Sequence, residues 1–134
     1  MRVSELMIGD YVNYRGQIIK VTSLYDKGGS NEVGWSDKES VWVNGRCIEP
    51  IPLTPEILEK NGFEKQWQDN YEYFNDDENL SIIFHPKSSN YTNGAYDYID
   101  IEKGCLTINE MPITFVHELQ HALRLCETDK EIEL

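Results

Sequence analysis

Thr114-Phe115-Val116-His117-Glu118-Leu119-Gln120-His121-Ala122-Leu123-Arg124-Leu125-Cys126 is the stretch on which the fold turns. At helical periodicity Phe115, Val116, Leu119, Ala122, Leu123 and Cys126 share one stripe, with Leu125 near its margin. Thr114 stands where a helix cap belongs, so the pattern predicts a helix over 114–126. Its apolar stripe has to be buried against another element, and the residues just before it are rich in strand formers. That combination predicts an α+β fold in which a C-terminal helix covers an antiparallel sheet.

Working upstream, strands are expected between 66 and 112. Trp67, Tyr71, Tyr73 and Phe74 lead into the polar turn Asn75-Asp76-Asp77-Glu78-Asn79, and Leu80–His85 returns. A loop over Lys87–Gly94 follows, then an alternating run with Tyr96, Tyr98 and Asp100 on one face and Asp97, Ile99 and Ile101 on the other. Cys105–Asn109 is the next strand, with Glu110-Met111-Pro112 as an edge or turn. The connections are too short for helical crossovers, which makes an antiparallel meander of three or four strands the natural solution. Ahead of it, Thr54-Pro55-Glu56 opens a short helix over 55–61 with a threonine cap and a proline in the first turn, and Asn61-Gly62 stops it. Beyond the C-terminal helix, the acidic residues 127–134 are expected to fray or to add a short extended tail.

Residues 1–50 read as a separate all-β unit. Gly9-Asp10 and Arg15-Gly16 are turn signals, Ile18–Thr22 is strand-rich, and Lys27-Gly28-Gly29-Ser30 is a loop. Short strands around Val33–Trp35 and Ser40–Val43 precede Asn44-Gly45, a dipeptide suited to a type I′ hairpin, and Arg46–Glu49 returns. Five short strands in this length suggest an SH3-like partial β-barrel. The expected organisation is an SH3-like unit over 1–50 and an acidic α+β unit over 51–134.

Of the 134 residues, 40% are hydrophobic and 27% charged, a globular balance. Lys plus Arg is 12 and Asp plus Glu is 24, a formal charge of −12. That charge disfavours direct binding to nucleic acid, which needs a positive footprint. It is concentrated in residues 51–134, whose 6 basic and 17 acidic side chains give −11, against −1 for residues 1–50. Cys47, Cys105 and Cys126 lie far apart without a paired spacing, so free thiols are expected and a four-cysteine zinc site is excluded. No signal peptide or membrane-spanning run is visible, and the cytoplasm is the expected location.

His117-Glu118-Leu119-Gln120-His121 is a literal HExxH and resembles the motif of zinc-dependent peptidases over these five residues. In that chemistry His117 and His121, one turn apart, hold Zn, and Glu118 activates the metal-bound water. A third ligand is missing from the pattern: no histidine follows His121, Glu127 shares the same helix, and neither Glu131, Glu133, His85 nor Asp97 is positioned by the sequence. The helical wheel also turns both imidazoles away from the apolar stripe, toward water. The second feature is aromatic. Trp67, Tyr71, Tyr73, Tyr96 and Tyr98, with Phe74 and Tyr91, are dense enough either to pack a sheet or to form a recognition face.

The order Glu5–Val12, Ile51–Phe63 and Val116–Gln120 with its nearby acidic tail is similar to a group of small proteins from Bacteroides-type bacteria and their phages or mobile elements. In that group the closing block reads His-Gln-Leu-Gln-Asn, with glutamine and asparagine where this chain has Glu118 and His121. The resemblance therefore implies that a zinc site is not a property of the group. The reading that follows is a non-catalytic protein-interaction module without cofactor, acting on a protein partner, with an exposed sheet edge or aromatic patch leaving room for a homodimer. Two alternatives are a zinc-dependent metallopeptidase using His117, Glu118 and His121, and an acidic decoy that mimics nucleic acid.

Overall fold

The computed structural model describes residues 1–35, 41–88 and 95–134. The expected strand start at Ser40, the loop residues 89–94 and Tyr91 lie outside the described residues. The fold is α+β, with strands in three antiparallel sheets. The chain divides into two compact units: residues 1–51 with Phe115–His117, and residues 52–114 with Glu118–Leu134.

In the first unit, β1 (Tyr11–Tyr14) and β2 (Gln17–Lys20) form a hairpin through Arg15 and Gly16, both at positive φ, as a two-residue primed turn requires. The sheet order is β2-β1-β6, β6 being Ile48–Glu49. A second sheet joins β3 (Ser23–Tyr25), β4 (Glu32–Gly34) and β5 (Trp42–Asn44) in that order. Among the described residues neither sheet closes into a barrel. Val3, Leu6, Val12, Ile19, Val21, Val33 and Ile48 form one apolar cluster, with Tyr14 and Trp35 packed against it at a ring distance of 5.1 Å.

Two turns in this unit do work that the sequence did not advertise. Asp10 is fully buried, and its carboxylate accepts the Met7 N–H at 2.8 Å, tying the turn before β1. Asn44-Gly45 is not a hairpin turn. β5 and β6 belong to different sheets, and Asn44 (φ −65°) instead caps the 3-10 turn Gly45–Cys47 by accepting the Arg46 N–H at 2.9 Å. Glycine is needed at 45 for a close approach, since a Cβ there would run into the Asn31 amide and the Met1 carbonyl.

In the second unit, α1 (Pro55–Lys60) begins at Thr54, whose hydroxyl accepts the Ile57 N–H at 3.3 Å, and it ends before Gly62 at positive φ. β7 (Glu64–Lys65), β8 (Tyr71–Asn75), β9 (Leu80–His85), β10 (Tyr98–Lys103) and β11 (Leu106–Pro112) make one antiparallel sheet in the order β11-β10-β9-β8-β7. Register places Tyr71, Tyr73, Ile82, Phe84, Ile99, Ile101, Ile108 and Met111 on one face. Ile82, Ile99 and Ile101 on that face are fully buried, each worth about 1.5–3 kcal/mol relative to exposure. α2 (Val116–Leu125) adds Leu119, Ala122 and Leu123 to the buried residues, and Cys126 follows. Burial raises the Cys126 thiol above its ordinary range and keeps it protonated.

The tail does not fray. Ile132 is buried, and the Asn61 side chain clamps the backbone of Glu133 from both directions, donating to its carbonyl at 2.8 Å and accepting its N–H at 2.7 Å. Lys130 donates to the Asn61 carbonyl at 2.5 Å and lies 4.3 Å above the Tyr73 ring. Glu78 accepts the Asp129 N–H at 2.7 Å and the Thr128 hydroxyl. These bonds, the Asp129 N–H first, hold the Glu78 carboxyl below its ordinary range.

Candidate functional site

The HELQH segment is helical, so His117 and His121 are one turn apart as the motif needs. The surroundings differ from the expectation. His117 is only 7% exposed, with its ring stacked on Phe115 at 5.9 Å and 14°, and His121 is half-buried. The wheel that turned both imidazoles to water followed hydropathy alone. It gave no weight to polar side chains, and Gln120 is buried as well as His117. Six of the ten α2 residues are buried: Val116, His117, Leu119, Gln120, Ala122 and Leu123.

Glu118 has a structural task. Its carboxylate reaches back over the first turn and accepts the Thr114 N–H at 3.0 Å, a relative of the capping box. Thr114, expected to cap the helix with its side chain, instead donates its backbone N–H, and α2 begins two residues later. Among the described residues no three His, Cys, Asp or Glu side chains gather where a metal ion could sit. Of the proposed extra ligands, Asp97 accepts the Lys87 N–H at 2.7 Å and His85 is committed to Asp100. Glu118→Ala should cost about 1 kcal/mol in urea unfolding, whereas Glu118→Gln, whose amide oxygen still accepts, should cost a few tenths. An equal loss for both would show that charge, not the hydrogen bond, sets the role of this residue.

A second polar group lies across β9 and β10. The His85 Nε2 and Asp100 Oδ2 are 2.9 Å apart, and the His85 ring stacks on Tyr98 at 4.4 Å. The other Asp100 oxygen accepts the Glu110 N–H at 2.8 Å. That bond holds a bulge in β11, where Glu110 has φ 54° and the pairing slips between Ile99 and Ile101. Burial, and then the Asp100 and Glu110 carboxylates, raise the Tyr98 hydroxyl above its ordinary range. The pair thus orders the sheet, which a lone histidine at a strand end did not signal.

The five aromatic candidates separate. Tyr71 and Tyr98 are buried, and Tyr73 is half-buried against Phe63 at 5.6 Å. Tyr96 is partly exposed, and Trp67 is 83% exposed. Trp67 sits in the connection between β7 and β8, which is closed by the Gln66 N–H donating to the Asn70 carbonyl at 2.6 Å. Lys65 and Asp69 form an ion pair at 3.2 Å across its base. Gln68 and Asp69 both take positive φ, 61° each, a conformation that costs a non-glycine residue about 1 kcal/mol.

Residues that composition did not single out add to the exposed apolar surface. Leu125 is 70% exposed and Leu106 is 45% exposed, and together with Glu78, Lys103, Cys126 and Glu127 they line a groove of about 420 Å³. The exposed side of Leu125 was foreshadowed by its place at the margin of the helical stripe. The three cysteines are free thiols. Among the described residues no helix is long and apolar enough to cross a membrane. No family model, curated protein or solved structure matches this chain.

Proposed function

We propose that this chain is a non-catalytic protein-interaction module. The observation that carries the reading is Trp67, 83% exposed and presented by a loop that holds two neighbouring non-glycine residues in the left-handed conformation. Tryptophan is the side chain most enriched among dominant contacts at protein interfaces, and leaving it in water has no folding benefit. Local strain of this kind persists where it serves presentation. Glu118 and His117, the residues a peptidase reading would need, are engaged in starting and packing α2.

The six short strands among the described residues of the first unit, with a 3-10 turn between β5 and β6, support reading it as an SH3-like partial barrel, an architecture often used to carry binding surfaces. On this account the module acts on a protein in the cytoplasm of a Bacteroides-type bacterium or in the life of one of its mobile elements.

A photoreactive amino acid at position 67 tests the reading in cells that naturally carry the chain. We expect one discrete adduct, competed away by unmodified wild-type chain but at least about tenfold less effectively by Trp67→Ala. Because the side chain is exposed, Trp67→Ala should leave the thermal midpoint unchanged within about 1 °C. Equal competition by wild type and variant, with both folded, would sink the proposal.

A further inference from the structure

We propose that the outer edge of β11, with the groove at its beginning, takes up an extended segment of a partner protein that is basic and carries an aliphatic side chain, adding it to the sheet as one more strand. This rests on the interaction-module reading and names a surface other than Trp67.

The two edges of the five-stranded sheet are unequal. β7 at one end has two residues, while β11 at the other has seven. Along β11, Leu106, Thr107, Asn109, Glu110 and Pro112 are exposed, and Ile108 and Met111 are half-buried. Among the described residues no strand pairs with its outer side. A long edge of this kind is a template for pairing unless it is blunted. The blunting devices stand at one end only: the bulge held by Asp100 at Glu110, and Pro112. They leave Leu106–Ile108 regular, a run of about 10 Å. No lysine or arginine stands in the strand to repel an incoming chain.

The groove lies where this regular run begins. Leu106 and Leu125 give it apolar walls, and its 420 Å³ holds an aliphatic side chain with room to spare. Glu78 and Glu127 stand on its rim, and the hydrogen bonds to Glu78 favour its ionised form. Lys103, the one cation among the described residues that line it, donates to the Glu127 carbonyl. Glu110 stands in the strand itself and Glu102 of β10 pairs with Thr107, and residues 52–134 carry a net −11. A second copy of this chain would bring the same surplus of negative charge to the edge, so charge selects a basic partner over self-pairing. Main-chain hydrogen bonds then supply affinity, and the groove supplies a preference for an aliphatic residue between lysines or arginines.

The test uses the full chain and a dye-labelled nonapeptide of alternating lysine and valine, followed by fluorescence anisotropy. Saturable binding is expected. It should weaken at least about tenfold with Leu125→Gln, an exposed position where folding is spared. It should be lost when alternate peptide amides are N-methylated, and when glutamate replaces lysine in the peptide. Trp67→Ala should leave it unchanged, because β7 and β11 are about 19 Å apart at opposite edges. No saturable binding, equal binding of the methylated or glutamate peptide, indifference to Leu125→Gln, or self-association of the chain in place of peptide binding each overturns the edge proposal. None of these results touches the cross-linking outcome at Trp67, so the two readings fail separately.

Discussion

Asn61→Ala is expected to lower the stability of the second unit by about 2–3 kcal/mol in urea unfolding. Asn61 is 5% exposed and does three things at once. Its amide donates to the Ile57 carbonyl and the Glu133 carbonyl, both at 2.8 Å, and its side-chain oxygen accepts the Glu133 N–H at 2.7 Å. Alanine removes every one of these bonds and leaves the Glu133 backbone without its clamp. Loss of the clamp also exposes Ile132, which adds an apolar term to the polar one. Amide exchange separates this from a general weakening: residues 128–134 should lose protection first, and β9 and β10 last. Uniform loss across the unit would mean that Asn61 acts through α1 rather than through the tail.

Gly45→Ala is the counterpart in the first unit, with an expected cost of about 2 kcal/mol or more. The backbone itself permits alanine, because Gly45 is not among the glycines at positive φ. The cost comes from space. The new methyl would meet the Asn31 side chain and the Met1 carbonyl. Asn31 cannot step aside freely: its side chain accepts the Val3 N–H at 2.7 Å and donates to the Met1 carbonyl, and its own carbonyl accepts the Gly45 N–H at 2.7 Å. Thermal melts of Gly45→Ala and of Gly45→Ala with Asn31→Ala check the cause. If the clash is responsible, the double variant should be less destabilised than the sum of the two single changes.

These two residues also mark where reading the sequence stopped. Local chemistry was legible. Thr54-Pro55 and Asn61-Gly62 bounded α1, Arg15-Gly16 formed a hairpin turn, and the alternation through Ile99 and Ile101 announced β10 as a strand without saying which face is buried. Each of these signals is decided within a few residues. Asn44-Gly45 carries the same local signal as a hairpin, but packing against Asn31 decides its conformation, and nothing near position 45 announces that. The clamp between Asn61 and Glu133 spans 72 residues, and an acidic tail has no hydropathy to suggest it is held. α2 was legible as a helix with an apolar stripe. The burial of His117 was not, because polar side chains enter a core through partners and stacking that a wheel does not contain. Among the aromatics, composition gave the cluster; strand register buries Tyr71 and Tyr98, whereas Trp67, in the connection between β7 and β8, is exposed.

The left-handed pair Gln68 and Asp69 sets a cost on any effort to harden this protein. Glycine at either position would relax the turn and raise the melting point, the usual route of a thermostabilising screen. The same change would let the indole wander, and under the proposed interaction role a partner would then bear the entropy of fixing it. A library sorted by heat resistance alone should therefore enrich glycines at 68 and 69 while drifting toward weaker capture, a trade between robustness and grip written into two backbone angles.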